Sequence, residues 1–253
     1  MKSRTALTLK VITLNAGGYN HDTNCGTIKR YLNDSIQQRG FDFIGIQEAI
    51  CNGHRVFDTR LGSVPERGGQ SVYILYNNLK WSVAKDRHGS PIITKEYRVH
   101  GKTDSRPLFG CLFTANHDNR INVLVINAWL PHGSQRSLKG DLEGALNNIY
   151  NEAMNKAQES GRGGTPRAIV MTGDFNEYFE DTGKNPYDVP ISAAGVSLQR
   201  ARTEWEVTVD WSDWRYYLDN VLYWSLTPGR TQSTVVGNGV GSDHFPVECT
   251  LWL

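Results

Sequence analysis

Short runs of apolar and β-branched residues recur along the chain, mostly bounded by Gly, Asn, Asp or Pro. They fall at Leu7–Leu14, Phe41–Ile46, Ser71–Tyr76, Pro107–Thr114, Ile121–Ala128, Arg167–Thr172, Tyr217–Tyr223 and Val247–Leu253, and they predict at least eight strands. Two segments have helical spacing instead. Thr27–Gln38 places Ile28, Tyr31, Leu32 and Ile36 on one face, and Leu138–Gln158 does the same with Leu142, Ala145, Leu146, Ile149, Ala153, Met154 and Ala157. An apolar stripe on an otherwise polar helix must cover something, here a sheet. The order of elements therefore predicts an α/β domain with two packed sheets and helices outside. From Tyr178 to Trp214 the pattern is weak and broken by Gly183, Pro186, Pro190 and Gly195. It reads as a long loop that either shapes a site or stays mobile.

The strand ends carry the chemistry. Ala168-Ile169-Val170-Met171-Thr172 runs directly into Gly173-Asp174-Phe175-Asn176, which puts a carboxylate and a carboxamide two residues apart. In extended backbone Asp174 and Asn176 would face the same side and Phe175 the other; an Asx turn closing an ordinary strand is the alternative. Other runs stop in the same way. Asn15 follows the first strand and Glu48 the second, Asp219-Asn220 opens a late apolar run, and Ser242-Asp243-His244 precedes the last strand. If those ends converge, one site holds Glu48, Asp174, Asp219, Asp243, two Asn and a His, a costly concentration of charge unless a cation or a reaction demands it. Oxygen ligands without thiolates suit Mg²⁺ or Mn²⁺ far better than zinc.

Composition narrows the class without naming a partner. With 253 residues, 39% hydrophobic and 21% charged, the chain is expected to be one globular domain spanning 1–253, not a disordered or fibrous one. A net charge of +1 gives no strong field for a sequence-independent grip on long nucleic acid. Local basic faces could still form from Arg60 with Arg67 and from Arg200 with Arg202. Seven Trp and eleven Tyr are in excess and are assigned mainly to a wide sheet-on-sheet core. Cys25, Cys51, Cys111 and Cys249 are too scattered for a zinc pattern, and Cys111 and Cys249 read as small buried hydrophobes. Without a long apolar stretch near Met1, or any run of the ~20 apolar residues that a membrane helix needs, a non-membrane, intracellular protein is expected.

Five motifs occur in one order: Asn15, Gln47-Glu48, Asn127-Ala128-Trp129-Leu130-Pro131, Gly173-Asp174-Phe175-Asn176 and Ser242-Asp243-His244. In that order and at those separations the chain resembles the endonuclease/exonuclease/phosphatase superfamily, the deoxyribonuclease I-like proteins, from Lys10 to Val247. The resemblance implies a four-layered α/β sandwich, two mixed sheets flanked by helices, and metal-dependent attack of water on a phosphate ester. It implies that Glu48 binds the metal with Asn15 and Asp243 beside it, and that Asp174 orients or deprotonates the water. It further implies that Asn176 hydrogen-bonds the phosphate, and that His244 binds or protonates a phosphate oxygen while Asp219 accepts its other ring N–H. Nucleic acid, DNA before RNA, is the implied substrate, and a monomer the implied state.

Two departures from the pattern bear on that transfer. Where members resembling deoxyribonuclease I place a His and those resembling AP endonucleases a Tyr, this chain has Trp129, whose indole N–H can donate to phosphate but cannot shuttle a proton. His132, three residues on, either contacts the phosphate, protonates the leaving oxygen or is a surface-turn His. Asn15-Ala16-Gly17 also lacks the Asp that AP endonucleases carry two residues after the Asn. Ser105-Arg106-Pro107 resembles a segment of the related toxin nuclease subunit and makes Arg106 a candidate phosphate clamp. Trp214-Arg215 and Leu218-Asp219 echo AP endonucleases, the Cys-Asp-Arg of inositol-polyphosphate phosphatases is absent, and deadenylases and tyrosyl-DNA phosphodiesterases share the same core motifs.

Overall fold

The computed structural model describes residues 7–17, 24–51, 54–57, 62–65, 71–132, 135–161, 165–176, 191–193, 195–201, 209–211, 214–216, 219–226, 230–235 and 240–253. In chain order the elements are β1 (Thr8–Asn15), α1 (Cys25–Gln37), β2 (Phe43–Gln47), β3 (Ile50–Cys51), β4 (His54–Arg55), β5 (Gly62–Pro65), β6 (Tyr73–Tyr76), β7 (Trp81–Val83), β8 (Tyr97–His100), β9 (Ser105–Ala115) and β10 (Asp118–Trp129). They continue with α2 (Gln135–Glu159), β11 (Ala168–Asp174), β12 (Ile191–Ala193), β13 (Val196–Arg200), β14 (Val209–Trp211), β15 (Trp214–Tyr216), β16 (Asp219–Ser225), β17 (Arg230–Val235) and β18 (Val247–Trp252). Among the described residues, one sheet has the order β17-β18-β1-β2-β6-β5 and a second the order β12-β13-β16-β11-β10-β9-β7, with β8 added on β9.

Three separate apolar clusters define four layers. Alternation along β1 sends Leu9 and Val11 into the space between the sheets, where they meet Phe109, Phe113, Val125 and Val170. Ile12 and Leu14 point the other way, onto Ile28, Leu32 and Ile36 of α1. On the far side, Leu124, Ile126, Ile169 and Met171 pack beneath Leu142, Leu146, Ile149 and Ala153 of α2. The layers are thus α1, sheet, sheet, α2, the architecture that the sequence leads one to expect. α1 starts where Asn24 caps it, its Oδ1 accepting from Thr27 N at 3.0 Å.

Two parallel strand pairs, β1 with β2 and β10 with β11, are each bridged by one of these helices. Both pairs run toward the same end of the sandwich, and in open α/β sheets the carboxyl ends of such strands are where ligands bind. The late segment departs from the expectation of one long loop. Within it, β12 and β13 extend the second sheet, and β14 and β15 form a hairpin. Their short, weakly patterned sequences hide them because their pairing is set by the neighbouring strand. The stretch 177–190 lies outside the described residues, as do Arg60, Arg67 and Arg202, while Arg200 ends β13.

Cys111 and Cys249 are buried and outside any disulfide, as expected, and burial pushes the Cys111 thiol well above its ordinary range. Cys25 is disulfide-bonded. Among the described residues no helix is long and apolar enough to cross a membrane.

Candidate active site

Strand register assembles the site. In the second sheet Trp129 on β10 lies level with Asp174 on β11, and Asp174 level with Asp219 on β16, so three adjacent strands present these side chains in one row. In the first sheet Asn15 lies level with Gln47, and the chain turns sharply at Glu48, whose φ of 50° is left-handed. Asn15 then joins the two sheets. Its Nδ2 donates to Glu48 Oε1 at 3.0 Å and to Asp174 Oδ2 at 2.9 Å, while its Oδ1 accepts from Gly17 N at 2.9 Å. That amide cannot rotate without breaking all three bonds.

Asp174 and Asn176 do meet in one pocket, but not through extended backbone. β11 ends at Asp174, and Asn176 has a φ of 46°. Asn176 N donates to Asp174 Oδ1 at 2.9 Å, which is an Asx turn, and Asn176 Nδ2 donates to Leu130 O at 2.5 Å. The turn expected of an ordinary strand end is here the device that brings both side chains into the pocket. Left-handed backbone at two non-glycine residues, Glu48 and Asn176, persists because buried hydrogen bonds hold it.

The third component comes from the loop before β18. Ser242 Oγ donates to the carbonyl of Asn15 at 2.8 Å and accepts from His244 N at 3.1 Å, pinning that loop to β1. His244 is buried, and its Nδ1 lies 2.8 Å from Asp219 Oδ2, the pairing expected from the sequence. Burial alone would lower the imidazole pKa. The charge and hydrogen bond of Asp219, with Asp174 and Asp243 nearby, outweigh it and raise the value to about 10. Burial raises Asp174, and the negative charge of Asp219 adds to the effect; burial likewise raises Glu48, against the hydrogen bond from Asn15. Crowded carboxylates gathered round one imidazolium are the electrostatic signature of the site.

Asn15, Gly17, Glu48, Arg106, Trp129, His132, Asp174, Asn176, Asp243 and His244 together line a cavity of about 120 Å³. Every residue given a catalytic, metal-binding or phosphate-binding role from the sequence is therefore on its wall except Asp219, which sits behind His244. Trp129 is buried with Arg106 lying across it, the guanidinium carbon 3.7 Å from the ring centroid, so the indole meets a cation face-on. His132 is exposed at the rim. Sequence reading missed the support underneath. Asn127 Oδ1 accepts from Gln47 Nε2 at 2.6 Å and from Thr172 Oγ1 at 3.0 Å, and its Nδ2 donates to the carbonyls of Ile46 and Tyr73. A polar residue inside the apolar run of β10 is the signal that could have marked it.

A hard divalent cation fits this donor set. The carboxylates of Glu48 and Asp243 share the wall and offer oxygen, while the Asn15 amide turns its Nδ2 to Glu48 and orients that carboxylate. Among the described residues no three His, Cys, Asp or Glu converge closely enough to cage an ion by themselves. Mg²⁺ keeps several waters and is usually held through only one or two carboxylates, which Glu48 and Asp243 could supply.

No family model matches the chain, and no curated protein matches it. Solved structures do. An endonuclease/exonuclease/phosphatase family protein from Bacteroides thetaiotaomicron aligns at a TM-score of 0.59 and 17% identity over 98% of each chain. Humanized D. rerio TDP2 aligns at 0.60 and 15%, over 96% of this chain and 98% of that one. ANGEL2, described as a 2′,3′-cyclic phosphatase, aligns at 0.61 and 16%, over 98% of this chain and 96% of that one. The chain therefore has the deoxyribonuclease I-like fold of the endonuclease/exonuclease/phosphatase superfamily.

Proposed function

We propose that this protein is a divalent-metal-dependent phosphodiester hydrolase acting on nucleic acid, DNA before RNA. The observation that carries the reading is Asn15, one amide bonded to Glu48 from one sheet and to Asp174 from the other, in the same cavity as His244. Glu48, with Asp243 and Asn15 beside it, would hold Mg²⁺ or Mn²⁺, which supplies neutralising charge to the phosphoryl oxygens. Asp174 is the general base. Its burial raises its pKa toward that of a useful proton acceptor, and the bonds from Asn15 and Asn176 fix both carboxylate oxygens. His244, held as imidazolium by Asp219 through Nδ1, presents its other ring nitrogen to a phosphoryl oxygen. Asn176 adds a neutral donor. Water attacks in line with the departing oxygen, without a covalent intermediate.

Supercoiled plasmid, an abasic oligonucleotide, single-stranded RNA, a 2′,3′-cyclic nucleotide and a chromogenic phosphodiester, each incubated with Mg²⁺ or with EDTA, test the reading and separate its substrates. Cleavage of at least one, lost with EDTA and lowered at least 10³-fold by Asp174→Ala, is expected. No turnover on any of them sinks the hydrolase, and turnover that survives Asp174→Ala removes its base.

A further inference from the structure

Arg106 is held on two sides. Its guanidinium face rests 3.7 Å above the Trp129 ring, and its Nε donates to Asp104 Oδ2 at 2.9 Å. Among the described residues neither Nη nitrogen has a hydrogen-bond partner, yet the residue lines the cavity. The fork that matches two oxygens of an anion is thus the one edge of the guanidinium left to the cavity. Asp104 is fixed in turn. Its carbonyl accepts from Gly101 N at 2.8 Å, and Gly101 is pressed so closely against its surroundings that a Cβ there would stand 2.9 Å from Asp104 Oδ1, 2.9 Å from His132 O and 2.8 Å from Pro131 Cβ. The β8–β9 turn carrying Asp104 is therefore seated directly on the end of the strand that carries Trp129.

From this we infer that Asp104 and Trp129 are positioning residues that aim the Arg106 fork at a phosphoryl group in the cavity, with Trp129 serving as a shelf and not as a phosphate ligand. The inference rests on the phosphoester reading of the site. Restricting the guanidinium before binding lowers the ordering cost when the anion arrives. The physical sign of the Asp104 effect separates aim from charge. Asp104 is an anion beside an anion site, so by Coulomb's law alone its removal would tighten phosphate binding. If it acts by orienting Arg106, its removal must loosen binding instead.

Titration of the full chain with inorganic phosphate in Mg²⁺ buffer, read by calorimetry, provides the test, alongside KM and kcat on the chromogenic diester. Arg106→Ala is expected to weaken phosphate binding about tenfold or more, and Asp104→Asn several-fold, raising KM more than it lowers kcat. Adding Asp104→Asn to Arg106→Ala should cost nothing further, because the first residue works only through the second. Trp129→Phe, which keeps an aromatic face, should retain most of the binding that Trp129→Leu loses, with thermal melts reporting whether each buried-site variant folds. Tighter phosphate binding in Asp104→Asn, or an equal loss with and without Arg106, overturns the inference. Absence of phosphate binding by the wild type overturns the inference, and the hydrolase is then decided by turnover alone. Binding without cleavage of any ester overturns the hydrolase alone.

Discussion

The Asp219–His244 pair is the residue-scale feature with the clearest consequence. The pKa of His244 is raised from 6.5 to about 10, so in the metal-free protein the pair contributes stability that is fully present below pH 6.5 and is lost as the pH climbs through about 10. Asp219→Asn keeps the shape and removes the charge. It should flatten that alkaline decline relative to wild type, which urea denaturation in EDTA between pH 6 and 10 would measure, and phosphodiester turnover should fall with it. Identical pH profiles for the two proteins would mean that His244 is neutral in the native state. Asn15 is equally exposed to test. Replacing its amide by the carboxylate of Asn15→Asp puts a third acid against Glu48 and Asp174 in place of a shared donor. Each lost hydrogen bond to a charged group is worth about 1.5–3 kcal/mol, so chemical denaturation without metal should show a loss of at least about 2 kcal/mol.

At the scale of elements, glycine has opposite meanings in two places. Gly45 on β2 faces the other sheet, and a Cβ there would stand 1.9 Å from Thr172 Oγ1 and 2.7 Å from Asn127 Oδ1. Gly45→Ala must push the sheets apart where the polar clamp joins them, and a cost of about 3 kcal/mol, the upper end for overpacking, is expected in urea denaturation. Gly140 and Gly144 sit within α2 with nothing within 4 Å of a built Cβ, so alanine at either should stabilise by roughly 0.5–1 kcal/mol in the same assay. The strands that sequence made legible are those with an apolar face on a core, such as β1, β10 and β11. Those it hid, β3, β4, β5, β7, β8, β12, β13, β14, β15 and the polar β17, lie at or next to sheet margins or pair in isolation, where hydrogen bonding to a neighbour and not burial of alternate residues defines the strand. The site divides in the same way. Asn15, Glu48, Asp174 and His244 were legible because charged groups ending apolar runs demand a reason, whereas Asp104, Asn127 and Ser242 act through backbone carbonyls and neighbouring side chains that only tertiary structure brings near.

For the molecule as a whole, the sandwich is tied together at the end where its charges are most concentrated. Glu48, Asp174 and Asp243 line one small cavity with Asp219 directly behind His244, so four carboxylates face a single buried imidazolium, with Arg106 nearer the rim. Glu48 belongs to the first sheet and Asp174 and Asp219 to the second, so their repulsion acts across the interface that the apolar middle layer and the Asn127 clamp hold closed. A cation binding there should stabilise the entire fold, not merely a loop, because unfolding either sheet dismantles the site. With no affinity for the unfolded chain, that stabilisation grows with the logarithm of free Mg²⁺ and reaches about 2.7 kcal/mol at a hundred times the dissociation constant. Thermal melts at increasing MgCl₂ should therefore rise steadily in the wild type, while matched ionic strength in NaCl, which only screens, should raise them far less. Glu48→Gln should melt higher than wild type in EDTA, since one of the crowded charges is gone, and should lose most of the response to Mg²⁺. If Glu48→Gln responds to Mg²⁺ as strongly as wild type, the ion binds elsewhere, and Glu48 is left as a strained carboxylate whose cost the fold bears for another reason.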